Sequence, residues 1–137
     1  MKRIPAIALA LAVLLASAPL AADDLTGADS LLCTAVQVTV CTANGECQVA
    51  PPWELNVPQF IKVDLKDKKL GTTEASGENR TTPIKNLERE DGLIFLQGVE
   101  NGRAFSFVIA EDTGMASIAV ARDGLTVAVF GACTPTP

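Results

Sequence analysis

The side chains of this chain that could take part in chemistry are carboxylates, lysines, arginines and four cysteines, because the sequence has no histidine and no tyrosine. Without histidine there is no Ser-His or Cys-His pair to activate a nucleophile, and no imidazole to bind a metal. A two-carboxylate glycosidase needs a matched acidic pair, but acids such as Glu88, Glu90 and Asp91 cluster at expected turns. We therefore expect a non-enzymatic protein with no metal and no other cofactor.

The charge of the chain bears on its partners. The sequence has 11 Lys and Arg against 16 Asp and Glu, a net charge of -5. Binding to nucleic acid without sequence preference requires a basic surface, so we expect no nucleic-acid partner. The single basic cluster, from Lys62 to Lys69, is interleaved with Asp64 and Asp67, which is typical of a solvated strand and turn.

The first 22 residues have the pattern of a secretory signal peptide. Two basic residues precede an apolar run from Ile4 to Ala16, and small residues follow up to Ala22. The run is shorter than a membrane span requires, so we expect cleavage near Ala22 and no stable membrane anchor. Cleavage leaves one domain, residues 23–137, in the periplasm or outside the cell. Its nine basic and 16 acidic residues give a net charge of -7.

Four cysteines in an exported chain predict two disulfides. Residues 31–42 alternate as one strand, in which Cys33 and Cys41 would lie about 26 Å apart. A disulfide needs Cα atoms within about 7 Å, so these two cannot pair. A short glycine-containing hairpin loop places Cys41 opposite Cys47, which leaves Cys33 to pair with Cys133. A reactive pair is the alternative, but the C-x-x-C spacing is missing.

The chain from residue 60 onward consists of short apolar runs, each closed by a turn signal, of which Asn101-Gly102 is the strongest. Eight or nine such strands follow one another without a convincing helix. This spacing predicts an all-β fold, an antiparallel meander forming a small barrel, with a two-layer β-sandwich as the alternative. The Cys33–Cys133 disulfide favours the barrel, because closure makes the first and last strands neighbours.

The faces of these two strands conflict with that disulfide. Alternation places Cys33 on the same face as Gln37, whereas Cys133 shares a face with Val127 and Val129. The two cysteines would then point to opposite sides of the sheet. A β-bulge at Gly131 would bring them to the same side.

Candidate binding residues occur in two loops. Trp53, the only tryptophan, lies between prolines in residues 51–60, which we expect to form a loop or a single helical turn. It is either an exposed anchor for a partner or a cap folded over one end of the barrel. Ser76, Asn79 and Arg80 occupy a polar stretch, which is either a protruding recognition loop or a plain connection.

Four segments of the chain carry a resemblance: FIKVDL from Phe60, ASGENR from Ala75, LQGVENGR from Leu96 and VFGACTP from Val129. Together they resemble an uncharacterised group of small exported proteobacterial proteins. Ser76-Gly77 with Arg80 also resembles the loop of the periplasmic inhibitors of c-type lysozyme, small disulfide-bonded β-barrels whose loop plugs the lysozyme cleft. The resemblance implies an inhibitory role for Ser76, although the tyrosine of that motif is missing and the cysteine layout differs.

These observations predict a β-domain that acts by binding, as an inhibitor or an envelope interaction module. Its partner would be a protein or a small envelope ligand. The alternative is a lipocalin-like carrier of a small apolar molecule. The two differ in the interior, because side chains nearly fill a barrel of this size. We expect such a solid core, whereas a carrier requires an open cavity.

Overall fold

The computed structural model describes residues 24–74 and 79–137, so the expected signal peptide, residues 1–22, lies outside the described part of the chain. The described residues form ten strands and one 3₁₀ helix, Pro52–Glu54. The strands are β1 (Ser30–Thr42), β2 (Cys47–Ala50), β3 (Phe60–Asp64), β4 (Lys69–Thr72), β5 (Thr81–Pro83), β6 (Asn86–Glu90), β7 (Leu93–Glu100), β8 (Arg103–Ala110), β9 (Met115–Arg122) and β10 (Leu125–Pro135). Within these ranges no helix has the length and apolar character needed to cross a membrane.

The strands form one antiparallel sheet with the order β5-β4-β3-β1-β10-β9-β8-β7-β6, and β2 pairs with β1 beside this path. If the two ends of this order were joined into a ring, the strands of the ring would follow one another in sequence order, and the break in the ring lies between β5 and β6. The sheet curls into a half-barrel. The predicted fold class is confirmed: an all-β, disulfide-linked meander, with nine strands in the main path and β2 as a tenth. A single curled sheet takes the place of a two-layer sandwich.

The first strand has neighbours on both edges. β10 pairs with it along its length. On the other edge, β3 pairs with the beginning of β1 and β2 pairs with its end. Residues 51–59, which we call the rim segment, therefore leave the sheet between β2 and β3. This segment contains the 3₁₀ helix.

A β-bulge at Val36 interrupts the pairing of β1 with β10. Ala35 pairs with Gly131 and Gln37 pairs with Phe130, which leaves Val36 as the extra residue. The expected bulge is therefore present, but it lies in the strand that faces Gly131 and not at Gly131 itself.

The bulge exchanges the two faces of β1. Val36 is 67% exposed, whereas Cys33 before it and Val38 after it are buried. The uninterrupted alternation expected for residues 31–42 is wrong here, because one extra residue turns all later side chains to the opposite face. Cys33 and Cys133 consequently both face the core.

Both predicted disulfides are present. Cys33–Cys133 joins the first and last strands, with a Cα–Cα distance of 4.0 Å, and Cys41–Cys47 closes the β1–β2 hairpin, with a Cα–Cα distance of 4.1 Å. In each disulfide the two cysteines are direct cross-strand partners. Gly45 has the positive φ, 91°, that the predicted hairpin loop requires. Two such disulfides are consistent with an oxidising compartment.

Residues 81–90 form an extended segment that changes its pairing partner. Its first part, β5, pairs with β4, and its last part, β6, pairs with β7. Between them, the Ile84 N–H donates to the Lys68 carbonyl at 2.9 Å and the Lys85 N–H donates to the Gln97 carbonyl at 2.8 Å. The two ends of the strand order are therefore consecutive in the chain, which explains why the sheet curls.

The interior is solid toward one end of the half-barrel, which we call the closed end. Large aliphatic side chains from five strands and the loops between them fill it: Leu31, Val63, Leu65, Leu70, Ile84, Ile94, Leu96 and Ile109. Leu25, before the first strand, is also fully buried, and its N–H donates to the Glu111 carbonyl at 2.7 Å. Arg89 holds the same segment by donating to the Ala28 carbonyl at 2.6 Å. The residues before β1 therefore complete the core.

Candidate functional site

The other end of the interior, the open end, contains a cavity of about 830 Å³. Its walls are mainly aliphatic side chains from four strands, with Phe107 from a fifth: Ala35, Val40, Ile61, Ile118, Val120, Leu125, Val127 and Val129. A smaller cavity of about 130 Å³ lies beside it and shares Ile61 and Phe107 with it. Small-molecule sites commonly enclose about 300–1,000 Å³. The solid interior expected from the sequence is therefore wrong for this half of the molecule.

The cavity follows from the size of the side chains that point inward. The inward positions at the open end are mostly valine and alanine, such as Ala35 and Val127, whereas leucine and isoleucine predominate at the closed end. On β7 the inward position opposite Phe105 is Gly98, whose missing side chain leaves room for the Phe105 ring. A Cβ on Gly98 would also lie 3.0 Å from the Pro83 carbonyl oxygen.

The rim segment borders one side of the cavity. Its last part is fixed at the bulge, where the Ala35 N–H donates to the Gln59 carbonyl at 2.8 Å. Its first part is a tight turn, in which the N–H groups of Leu55 and Val57 both donate to the Pro52 carbonyl at 3.1 Å. Pro52 is fully buried and attaches this turn to the sheet.

Trp53 lies in the 3₁₀ helix of the rim segment and is one of the residues that line the cavity. It is nevertheless 65% exposed. The side chain therefore stands at the opening, in contact with both the cavity and the solvent, and its role as an anchor for a partner stays a prediction.

Three arginines line the cavity, namely Arg80, Arg103 and Arg122, and no acidic side chain is among the described residues that line it. The whole chain has a net charge of -5, so the sign of the charge at this site is opposite to that of the protein. A cavity with apolar walls and a cationic border favours apolar and anionic groups, because an arginine guanidinium carries a fixed positive charge.

Arg103 and Arg122 lie on adjacent strands. Ala104 of β8 pairs with Ala121 of β9. Continued by one residue, this antiparallel pairing places Arg103 next to Arg122 on the adjacent strand. Arg103 begins β8 and Arg122 ends β9, so both stand at the open end. Neither forms an ion pair with a residue in the described ranges.

Arg80 has a partner within the protein. Its Nη1 atom lies 3.9 Å from Glu100 Oε1, and both side chains are partly buried. The backbone of Arg80 is paired with Thr72: the Arg80 N–H donates to Thr72 Oγ1 at 2.8 Å, and the Thr72 N–H donates to the Arg80 carbonyl at 3.0 Å. These contacts direct Arg80 toward the cavity.

The structure brings together two of the four binding residues suggested by the sequence, Trp53 and Arg80, at one cavity. Asn79 is exposed and is not among the lining residues. Ser76 and its neighbour Gly77 lie outside the described residues. The interpretation of this stretch as an inhibitory loop therefore stays a prediction.

Sequence reasoning missed Arg103 and Arg122, although a signal for them exists. Residues at every second position of a strand share a face, so Arg103 lies on the same face as Phe105 and Phe107, and Arg122 on the same face as Ile118. A charged residue in the apolar phase of a strand, at the end of that strand, indicates a side chain at the opening of a barrel.

Comparisons with known proteins add no assignment, because no protein-family model matches this chain and no curated protein matches it. The chemistry must therefore be inferred from the site itself. In the described ranges no three Asp, Glu or Cys side chains are grouped so that they could hold a metal ion. What the site offers is apolar surface, guanidinium groups and one tryptophan.

Proposed function

We propose that this chain is an exported, non-enzymatic binding protein that holds a small apolar molecule in the cavity at the open end. The observation that carries the proposal is the cavity itself, with a volume of about 830 Å³ and walls that are mainly aliphatic. Removal of apolar surface from water is the main driving force for binding in such a site. This is the carrier function, which the sequence offers as the alternative to an inhibitor or an envelope interaction module.

The side chains of the site support binding over catalysis. Proton transfer in catalysis needs a group that titrates near the working pH. The chain has no histidine, and the charged groups that line the cavity are arginines. These groups can hold and orient a ligand, but they cannot act as a general base at neutral pH.

The scaffold supports a preformed site. The lining residues lie mainly on strands, and the Cys33–Cys133 disulfide lies two residues from Ala35, which lines the cavity. The solid core at the closed end holds the same strands that extend to the open end. A cavity built on such a frame binds its ligand without a large ordering cost.

Export is part of the proposal and rests on two observations. The N-terminal residues have the pattern of a signal peptide, and all four cysteines are in disulfides. Disulfides persist in secreted and periplasmic proteins. A small carrier in that compartment would take up its ligand outside the cytoplasm.

The test is binding of Nile red, an uncharged apolar dye, to the oxidised protein, followed by its fluorescence. We expect saturable binding that Val40→Phe weakens, because Val40 lines the cavity and a larger side chain fills it. Val49→Phe is the matched control, since Val49 is 62% exposed and does not line the cavity. Absence of dye binding, together with native mass spectra that show no co-purified ligand, would contradict the proposal.

A further inference from the structure

We propose that the ligand of this cavity is a single-chain amphiphile with an oxyanion headgroup, a carboxylate or a phosphate, which Arg103 and Arg122 bind at the opening. The inference rests on the proposed function and names the class of molecule that the cavity takes. The apolar chain lies along the aliphatic walls, and the headgroup lies where the two arginines meet.

The position of the two arginines favours a bound anion. They occupy neighbouring positions on adjacent strands, and like charges at such positions repel each other. No described acidic residue lines the 830 Å³ cavity, and Glu100, which lies opposite Arg103 on β7, forms its ion pair with Arg80. An anion bound between the two guanidinium groups removes the repulsion, and the stabilisation exists only while the ligand is present.

These two arginines differ from Arg80 in their ion pairs within the protein. The Arg80 charge is offset by Glu100, at 3.9 Å. Glu100 is also the cross-strand partner of Arg103, but the ion pair that it forms among the described residues is with Arg80. Arg122 forms no ion pair with a carboxylate in the described ranges. The arginine that already has a carboxylate is therefore the structural one, and the other two are available to a ligand.

The inward side chains of β8 and β9 change from cationic at the open end to apolar at depth. On β9 the inward positions run from Arg122 at the open end to Ile118 and Ala116, which are buried. On β8 they run from Arg103 to Ile109, which is fully buried. A site that is cationic at its opening and apolar at depth matches a molecule with a charged head and a hydrocarbon chain.

The nature of the headgroup follows from the chemistry of arginine. A guanidinium donates paired hydrogen bonds whose geometry fits carboxylate and phosphate oxygens. The net charge of the protein, -5, repels anions at long range. Attraction must therefore arise at the site itself, where the apolar walls strengthen the interaction between charges.

The test compares three ligands that share one chain: dodecanoate, dodecyl phosphate and dodecan-1-ol. Each is titrated into the oxidised, signal-free protein by calorimetry, below the concentration at which it forms micelles. We expect at least one anion to bind about tenfold more tightly than the alcohol, or more, as a charge-assisted hydrogen bond implies. The tighter of the two anions identifies the headgroup.

The outcomes separate this inference from the proposed function. Equal affinity for all three ligands would overturn the oxyanion headgroup and leave the apolar carrier standing. If none of the three ligands binds, both the oxyanion headgroup and the apolar carrier are overturned. A preference for the alcohol over both anions would also overturn the inference.

Substitutions assign the preference to residues. The double variant Arg103→Met, Arg122→Met should lose the preference for the anion and keep its affinity for dodecan-1-ol, which shows that the cavity is intact. Lys62→Met is the matched control, because Lys62 is an exposed cation on β3 outside the cavity, and it should keep the full preference. If the double variant also keeps it, the assignment to these arginines is overturned. A double variant that no longer binds the alcohol has lost the cavity, and the comparison on the unsubstituted protein then decides.

Discussion

Cys33 lies directly opposite Cys133, with 4.0 Å between their Cα atoms, and both are buried in the core. This one cross-strand pair joins the first strand of the sheet to the last. The second disulfide, Cys41–Cys47, is a local bond within one hairpin. The two bonds therefore constrain very different lengths of chain.

Removal of the Cys33–Cys133 disulfide should destabilise the protein more than removal of Cys41–Cys47. In the chain-entropy model a loop of about 100 residues contributes about 4.7 kcal/mol, and a loop of about six residues contributes about 2 kcal/mol. Paired Cys→Ala variants, compared by urea denaturation under non-reducing conditions, measure the difference. Equal losses, or the reverse order, would contradict the role given to the long-range bond.

The variant Gly131→Ala should destabilise the protein, because its Cβ would collide with the carbonyl group of Thr34 beside the bulge. Forced overpacking typically costs about 1–3 kcal/mol. Gly71→Ala is the matched control, since its Cβ would meet the Arg80 carbonyl oxygen at 3.7 Å, an ordinary contact. We expect that control to change the free energy of unfolding by less than about 1 kcal/mol. Similar losses for the two variants would refute the close approach at the bulge.

Signal-peptide cleavage should leave Leu25 in the mature chain, because Leu25 is fully buried at the closed end. N-terminal sequencing of the exported protein should therefore begin at or before Leu25, in agreement with cleavage near Ala22. A chain that begins at Thr26 should lose about 2 kcal/mol of stability relative to one that begins at Asp24, the effect of one buried leucine. Urea denaturation of the two chains checks this, and equal midpoints would show that Leu25 adds nothing to the core.

Ligand binding should shift the fluorescence of Trp53 to shorter wavelength. This residue is the only tryptophan, and it is largely exposed at the opening of the cavity. A ligand there covers part of its ring and excludes water. Titration of the protein with dodecan-1-ol measures the shift, and Trp53→Phe should abolish the signal without abolishing binding detected by calorimetry. An unchanged spectrum at saturation would place the ligand away from the rim segment.

The strands and both disulfides could be predicted from the sequence because their signals are local. Turn residues such as Asn101-Gly102 mark the hairpins, and the distance between Cys33 and Cys41 along a strand excludes their pairing. The bulge at Val36 could be placed only approximately. Valines at every second position in this part of β1 look like one continuous face, and only the requirement that two distant cysteines meet shows that they are not.

The cavity could not be predicted, because it depends on small differences in volume within an apolar interior. Both ends of the half-barrel have aliphatic inward positions, and they differ only in that valine and alanine predominate at the open end and leucine and isoleucine at the closed end. The pairing of β8 with β9 then brings Arg103 and Arg122 together. Neither fact is visible in one strand alone, since each is a property of neighbouring strands.

The change of partner within residues 81–90 also affects how the protein behaves among copies of itself. An open sheet ends in two edge strands, whose unpaired backbone groups can recruit further strands and start aggregation. Here the terminal strands have three residues, β5, and five residues, β6. β5 ends in Pro83, which has no N–H to donate, and β6 carries Glu88, Arg89 and Glu90. The segment that closes the sheet therefore also makes its edges poor templates for amyloid-like growth.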